Sequence, residues 1–223
     1  MAKFRHPKPR QRPRVLMNAA MTLDGKIATK SGDSKISSAT DLNQLHRLRA
    51  EVDAVMIGSG TQLTDNPLLT VRRVRGRNPI RIIVDSLART PPKSRALSAE
   101  GCTIIAISKK APERRVNKLE RAGAKIIYCG KKHVDLNTLL SKLVGLGIQS
   151  ILLEGGGGLN WHMLANNLVD ELRITIAPFL IGGETAKTLV EGVGVRTMRE
   201  AIKLSLRSMR QNGNELVLAY KVT

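Results

Sequence analysis

The stretch Ser150-Ile-Leu-Leu-Glu-Gly-Gly-Gly-Gly-Leu-Asn-Trp-His162 decides how this chain reads. Ile151 to Leu153 is a short apolar run of the kind that forms a buried strand. Glu154 stands where that strand ends, and four glycines, Gly155 to Gly158, follow it. From Leu159 to Leu168, Leu159, Met163, Leu164 and Leu168 recur at helical spacing. Strand, glycine turn and helix turn backbone N–H groups toward an anion at the helix N-terminus. Glycines also let a bulky group approach the backbone with no Cβ in the way. The plain alternative is a tight strand-to-helix turn with no ligand. Four glycines behind a strand-end carboxylate favour a nucleotide phosphate. The run lacks the GxGxxG spacing near a first strand, so it does not indicate a standard Rossmann domain.

Outward from this stretch, the chain alternates strands with helices. Val15 to Met21 reads as the first strand, with Asp24-Gly25 turning after it. Thr40-Asp41 is the expected N-cap of a helix over Leu42–Val52, where Leu42, Leu45, Leu48 and Arg49 share one face. His46 lies on or beside that stripe and reads as a packed helix histidine. Asp53–Gly58 is a second strand, closed by Ser59-Gly60-Thr61 and a loop at Thr64-Asp65-Asn66-Pro67. Further strands are expected at 80–84, 103–107 and 124–129, and helices at 114–122 and 136–146. Leu172 to Ala177 alternates, and Lys203–Met209 pairs with Glu215–Val222 around Gln211-Asn-Gly213-Asn as a hairpin. The pattern predicts a three-layer α/β domain with a mostly parallel central sheet and a C-terminal antiparallel hairpin. One domain is expected over 15–223, preceded by a basic disordered arm over 1–14.

Whole-chain properties narrow the function. The chain has 223 residues, enough for a sizeable core, and no stretch of about twenty apolar residues or signal-peptide pattern, so a cytoplasmic protein with no membrane partner is expected. Cys102 and Cys129 show no metal spacing and are expected as buried free thiols; no metal is expected. The formal charge of +19 raises a nucleic-acid reading, but two Phe, two Tyr and one Trp offer no stacking surface. Part of the charge sits in the arm, at Lys3, Arg5, Lys8, Arg10, Arg12 and Arg14 among three prolines. The rest suits anionic small molecules, and a nucleic-acid partner ranks below them.

Ligands of open α/β sheets bind beyond the C-terminal strand ends. Those ends carry Thr22 and Asp24, Gly58-Ser59-Gly60-Thr61, Asp85-Ser86, Gly130 and Glu154-Gly155. No nucleophile with a paired base and no P-loop lysine is present. Chemistry supplied by a cofactor fits that edge best.

Six motifs taken in order carry a resemblance. They are Met21-Thr-Leu-Asp-Gly-Lys26, His46-Arg-Leu-Arg-Ala50, Val55-Met-Ile-Gly-Ser-Gly-Thr61, Asp65-Asn-Pro-Leu-Leu-Thr-Val-Arg72, Arg81-Ile-Ile-Val-Asp-Ser86 and Leu153-Glu-Gly-Gly-Gly158. The set resembles the riboflavin-pathway pyrimidine reductases, a family with a dihydrofolate-reductase-like fold. No HxE or PCxxC deaminase signature accompanies it, so the resemblance is to the stand-alone archaeal type. It implies reduction of the ribosyl group of 2,5-diamino-6-ribosylamino-4(3H)-pyrimidinone 5′-phosphate to a ribityl chain, with hydride delivered to C1′. The implied cofactor is NADPH, with NADH as the other nicotinamide, and a homodimer joined through the late strands is implied as well.

By matching motif positions, Ala20, Thr61, Asp65, Ser86, Gly156, Gly157, Gly158 and Leu159 would hold the cofactor. Ser34, Arg49, Leu69, Arg72 and Glu154 would line the phosphorylated pyrimidine. Arg49 and Arg72 suit its phosphate, because a guanidinium fork matches that geometry. Each has a plainer reading: Arg49 at a helix end complements the dipole, and Arg72 joins Arg73 and Arg75 on a solvated edge. Glu154 and Asp24 are the candidate catalytic groups, although Asp24 also suits a turn cap. No general acid stands out, and water or the substrate itself could provide the proton. Trp161 and His162 read as packing residues. The chain departs from bacterial relatives at Lys35-Ile36-Ser37, where they usually carry a tryptophan, and at Asn66, which replaces a frequent aspartate. Two alternatives stay open: a reductase of the deaminated pyrimidine, and an RNA-binding protein using the basic arm.

Overall fold

Between Ala54 and Leu153, neighbouring strand residues face opposite sides of one sheet, and both sides are apolar. Met56, Ile82, Ile104 and Leu153 pack with Leu139, Leu143 and Met163 on one side. Val55, Ile57, Ile83, Ile105 and Leu152 pack with Ala96, Val116 and Leu119 on the other. Continuous apolar strands are what a parallel sheet covered on both faces requires. Each fully buried side chain of this size contributes about 1.5–3 kcal/mol.

The structure, a computed structural model, describes residues 11–223. Its elements run β1 (Arg14–Thr22), α1 (Ala39–Glu51), β2 (Ala54–Gly58), α2 (Ser59–Asp65), β3 (Ile80–Val84), α3 (Arg95–Ser98), β4 (Thr103–Ile107) and α4 (Glu113–Arg121). They continue with β5 (Lys125–Tyr128), α5 (Leu136–Gly145), β6 (Ser150–Leu153), α6 (Gly157–Ala165), β7 (Glu171–Ala177), a 3-10 turn at Met198–Glu200, β8 (Leu204–Asn212) and β9 (Glu215–Val222). The strand order is β5-β4-β3-β2-β6-β1-β7-β9-β8. Strands β1 to β7 pair in parallel, and β9 is antiparallel to both β7 and β8. The expected α/β architecture with a C-terminal hairpin is therefore the one observed. After β2 the chain steps outward to β5, then β6 returns to the slot between β2 and β1. That reversal makes the C-terminal end of β6 the crevice of the sheet.

Several local expectations change. Ser38, not Thr40-Asp41, caps α1: its Oγ accepts from the Asp41 N–H at 3.2 Å and donates to Glu215 Oε2 at 2.7 Å. Asp41 is instead buried, accepting from Arg173 Nη2 and Thr175 Oγ1, so it joins α1 to β7. Ser59 to Asp65 forms a helix where a closing loop was expected. Cys129 is buried, and burial pushes its thiol pKa up, but Cys102 is exposed in the turn before β4. That turn lies over Arg81, which is wholly buried and donates to the carbonyls of Ala99, Glu100 and Gly101. At the other end, Arg12 donates to both carboxylate oxygens of Asp170, and β1 begins at Arg14. The expected arm therefore overlaps ordered structure at Arg12–Arg14; its first ten residues lie outside those described.

The hairpin leaves an apolar face open. Leu204 and Leu206 of β8 oppose Val222 and Tyr220 of β9, and a register shift follows between Leu206 and Ser208. The shift brings Met209 opposite Leu218, which keeps the apolar residues on one face despite their odd spacing. Leu206 and Met209 are 53% and 65% exposed there.

Candidate active site

The glycine run continues the end of β6 along β2. The Glu154 N–H donates to the Met56 carbonyl at 2.9 Å, and the Gly58 N–H donates to the Gly155 carbonyl at 2.8 Å. The Gly155–Gly156 peptide is cis. Gly155 has φ +91°, a region that glycine occupies without cost. A Cβ on Gly157 would stand 2.5 Å from the Thr188 carbonyl, and one on Gly156 would stand 3.1 Å from Thr61 Oγ1. Gly158 has open space where a Cβ would be. Gly155, Gly156 and Gly157 thus serve the backbone and its packing, whereas Gly158 has room for a side chain. Helix α6 begins at Gly157, so the N–H groups of its first turn have no partner within the helix.

These groups form one wall of a 570 Å³ cleft. Gly60, Thr61, Thr64 and Asp65 of α2 also line it, as do Ser34 and the 27–32 turn. Gly60, like Gly158, has nothing within 4 Å of a Cβ position. Desolvation pushes the Asp65 carboxyl pKa up, against a 3.5 Å contact from the Ser34 hydroxyl. Thr185, Lys187 and Glu191 complete the lining. They belong to a segment pinned by Ile27 N–H to the Lys187 carbonyl and by Glu191 N–H to the Gly157 carbonyl. Asn160, buried beneath the run, donates to the Leu189 carbonyl at 2.8 Å. A second hollow of 410 Å³ shares Ser59 and Val84 with the cleft and is lined by Ser86, Arg89, Lys110, Lys132 and His133.

Behind the run lies a polar group built on α1. Arg49 Nε and Nη2 donate to the two oxygens of Glu154, each at 2.7 Å, and Nη1 donates to the Thr70 carbonyl at 3.1 Å. His46 Nδ1 accepts from the Arg72 N–H at 2.9 Å, and Arg72 Nη1 donates to Thr70 Oγ1 at 2.7 Å. His46 is buried, and desolvation followed by the charges of Arg49 and Arg72 lowers its pKa to about 4.

Of the residues that the resemblance singles out, Ser34, Thr61, Asp65 and Gly156 to Leu159 line the cleft, and Ser86 lines its basic extension. Ser86 Oγ accepts from the Val134 N–H at 3.0 Å and retains its own proton to donate. Arg49, Arg72 and Glu154 sit together as described, outside the cleft lining. Ala20 lies mid-strand opposite Thr175, and Leu69 is buried in the core with φ 55°. Asp24 is also outside the cleft. It accepts from Thr22 Oγ1 at 2.5 Å and from the Gly182 N–H at 2.7 Å, and these bonds lower its pKa to about 2. Asp85 turns inward, where Oδ2 accepts from the Thr90 N–H and hydroxyl. His162, expected to pack, is exposed and lines the cleft; Trp161 packs, its ring against Gly192. Sequence reading missed the 185–191 wall altogether. Its only signal was the Gly182-Gly183 and Gly192 punctuation, which marks turns without saying what they approach.

Residues 13–218 match the sequence profile of the RibD C-terminal domain. A 2,5-diamino-6-ribosylamino-4(3H)-pyrimidinone 5′-phosphate reductase from Methanothermobacter thermautotrophicus is 50% identical over 214 residues, covering 95% of this chain and 99% of that protein. A protein of the same name from Archaeoglobus fulgidus is 40% identical over 192 residues, covering 81% of this chain and 87% of its own. Among solved structures, Acinetobacter baumannii RibD in its form 2 is similar with a TM-score of 0.83 at 25% identity, covering 96% of this chain and 58% of that one. The dihydrofolate-reductase-like arrangement expected from the motifs is thus the arrangement of RibD reductase domains. The chain belongs to the RibD C-terminal domain family.

Proposed function

We propose that residues 15–223 form one cytoplasmic reductase domain. It uses NADPH to reduce the ribosyl group of 2,5-diamino-6-ribosylamino-4(3H)-pyrimidinone 5′-phosphate, the compound for which its relatives are named. The observation that carries the reading is the placement of two motif strips. Gly156–Leu159 and, from α2, Thr61, Thr64 and Asp65 line one and the same cleft, next to the strand at which the sheet order reverses.

The residues present fit a dinucleotide. Gly60 and Gly158 both line the cleft with nothing within 4 Å of a Cβ position, and α6 presents N–H groups unpaired within the helix, suited to a pyrophosphate. When bound, the nicotinamide supplies a hydride to C1′. The protein's share is to bind and orient: Thr61 and Ser34 offer hydroxyls, and Asp65 offers a carboxylate at the cleft wall. Glu154 is held in one orientation by the Arg49 fork, ready to accept from ribose hydroxyl or pyrimidine amino groups. Arg72, the less buried of the two arginines, takes the substrate phosphate. Arg89, Lys110 and Lys132 in the extension favour the phosphorylated cofactor, because a 2′-phosphate adds charge that three cations attract.

We also infer a homodimer. The open face of β8 and β9 carries Leu204, Leu206, Met209 and Leu216, at least 40% exposed each. A second copy laid on it would bury a contiguous apolar patch that water otherwise meets.

Loss of reduced-nicotinamide absorbance tests the reading, with the diamino substrate and its deaminated analogue run in parallel. Fast turnover of the diamino compound with NADPH, slow with NADH, is expected. Preference for the deaminated analogue would reassign the substrate. Equal use of both cofactors by wild type and by Lys110→Ala/Lys132→Ala would sink the 2′-phosphate assignment.

A further inference from the structure

We propose that His46 is a positioning residue for the substrate phosphate: its uncharged imidazole holds the main chain of Arg72 in place. The inference rests on the reading of Arg72 as the phosphate ligand.

His46 is 3% exposed, and its Nδ1 accepts from the Arg72 N–H at 2.9 Å. Accepting at Nδ1 places the ring proton on Nε2, and an imidazolium could not make this bond at all. The surroundings favour the neutral ring. Burial comes first, then the charges of Arg49, Arg72 and Arg73, with Glu154 alone opposing.

One helical turn further along α1, Arg49 donates to the carbonyl of Thr70 at 3.1 Å. Residues spaced i, i+3 on one helix face therefore grip a carbonyl and an amide two residues apart. The gripped segment needs such anchors. It lies outside every helix and strand, and Leu69 holds a φ of 55°. Left-handed backbone is unfavourable for a leucine and persists only where the surroundings impose it. The Val71 N–H, donating to Asn78 Oδ1 at 2.8 Å, supplies a third anchor. With its backbone fixed and Nη1 on Thr70 Oγ1, the Arg72 fork has a defined direction. The helix thus places Glu154 through Arg49 and Arg72 through His46.

The test compares wild type with His46→Leu, which removes the acceptor, and His46→Asn, whose Oδ1 can stand near the Nδ1 position. Steady-state constants are measured for the phosphorylated pyrimidine, for its dephosphorylated nucleoside and for NADPH. His46→Leu is expected to raise the KM of the phosphorylated substrate about tenfold, the worth of one good hydrogen bond. Its kcat and its cofactor KM stay near the wild-type values, and His46→Asn recovers most of the loss. The nucleoside, having no phosphate to place, is handled alike by all three. An unchanged KM in folded His46→Leu, or an equal loss on nucleoside and nucleotide, overturns the proposal. If His46→Leu does not fold, His46→Gln, whose amide reaches past the Nδ1 position, is held to the same outcomes. Arg72→Ala separates the two readings. If it keeps the preference for phosphate, the phosphate assignment fails and this proposal with it. If it loses the preference while His46→Leu keeps it, only the role of His46 fails.

Discussion

Arg49 and Glu154, 105 residues apart, meet through two parallel hydrogen bonds of 2.7 Å, with side chains only 7% and 10% exposed. A buried pair of this kind contributes little net stability over an apolar substitute, yet removing one partner strands the other charge. Glu154→Leu should therefore lower the unfolding free energy by about 3–5 kcal/mol, read from the urea midpoint. Glu154→Gln, which leaves Arg49 an acceptor, should lose less stability but still lose turnover. Matching urea midpoints for wild type and Glu154→Leu would show that the pair is not a structural element.

Neighbouring glycines of the run should respond oppositely to alanine. A Cβ on Gly157 meets the Thr188 carbonyl at 2.5 Å and Glu191 Cγ at 2.7 Å, whereas one on Gly158 meets nothing within 4 Å. Gly157→Ala should destabilise the protein by about 1–3 kcal/mol through overpacking. Gly158→Ala should fold as well as wild type and weaken NADPH binding, because Gly158 lines the cleft and the added methyl group meets no protein atom. Thermal melts with fluorescence titration of the cofactor separate the two effects. Unweakened NADPH binding by Gly158→Ala would remove that residue from the cofactor wall.

Stability should fall with pH through the titration of His46. Its pKa is about 4 folded against 6.5 ordinarily, so between these values the unfolded chain binds more protons. Its contribution is complete above about pH 6.5 and is lost as pH drops toward 4, at up to about 1.4 kcal/mol per pH unit. Asp24, with its pKa lowered to about 2, acts in a separate and more acidic window. Melting temperatures of wild type should therefore decline more steeply from pH 6.5 to 4.5 than those of His46→Asn. Parallel curves would mean that the ring is not held neutral.

The open hairpin face should be the dimer contact. Leu206 and Met209 stand exposed on one face of β8, and a charge on either would have to be buried in a symmetric interface. Leu206→Glu/Met209→Glu should run as a monomer in light-scattering chromatography where wild type runs as a dimer. A monomeric wild type, or an unaltered dimer in the variant, would discard the interface.

Much of the fold was legible because it follows from neighbours close in sequence. Apolar runs such as Val55–Ile57 and Ile104–Ile107 specify buried strands. Gln211-Asn-Gly213 specifies the hairpin, and Glu154 with its glycines marks the strand end where the cleft opens. The motif order carried the family as well. The sequence did not show what those elements would meet. Nothing local says that Arg49 binds Glu154, that the Arg72 amide ends on His46, or that residues 185–191 lie against Gly157. The first and the last exist because β6 returns to the slot between β1 and β2, and the second because the segment after α2 folds back on α1. Each brings residues distant in the chain within hydrogen-bond reach. Periodicity and turn chemistry are properties of a few adjacent residues and can be read along the chain. Pairing between distant side chains depends on how the sheet is wound, and that was decided only when the strands closed around one core.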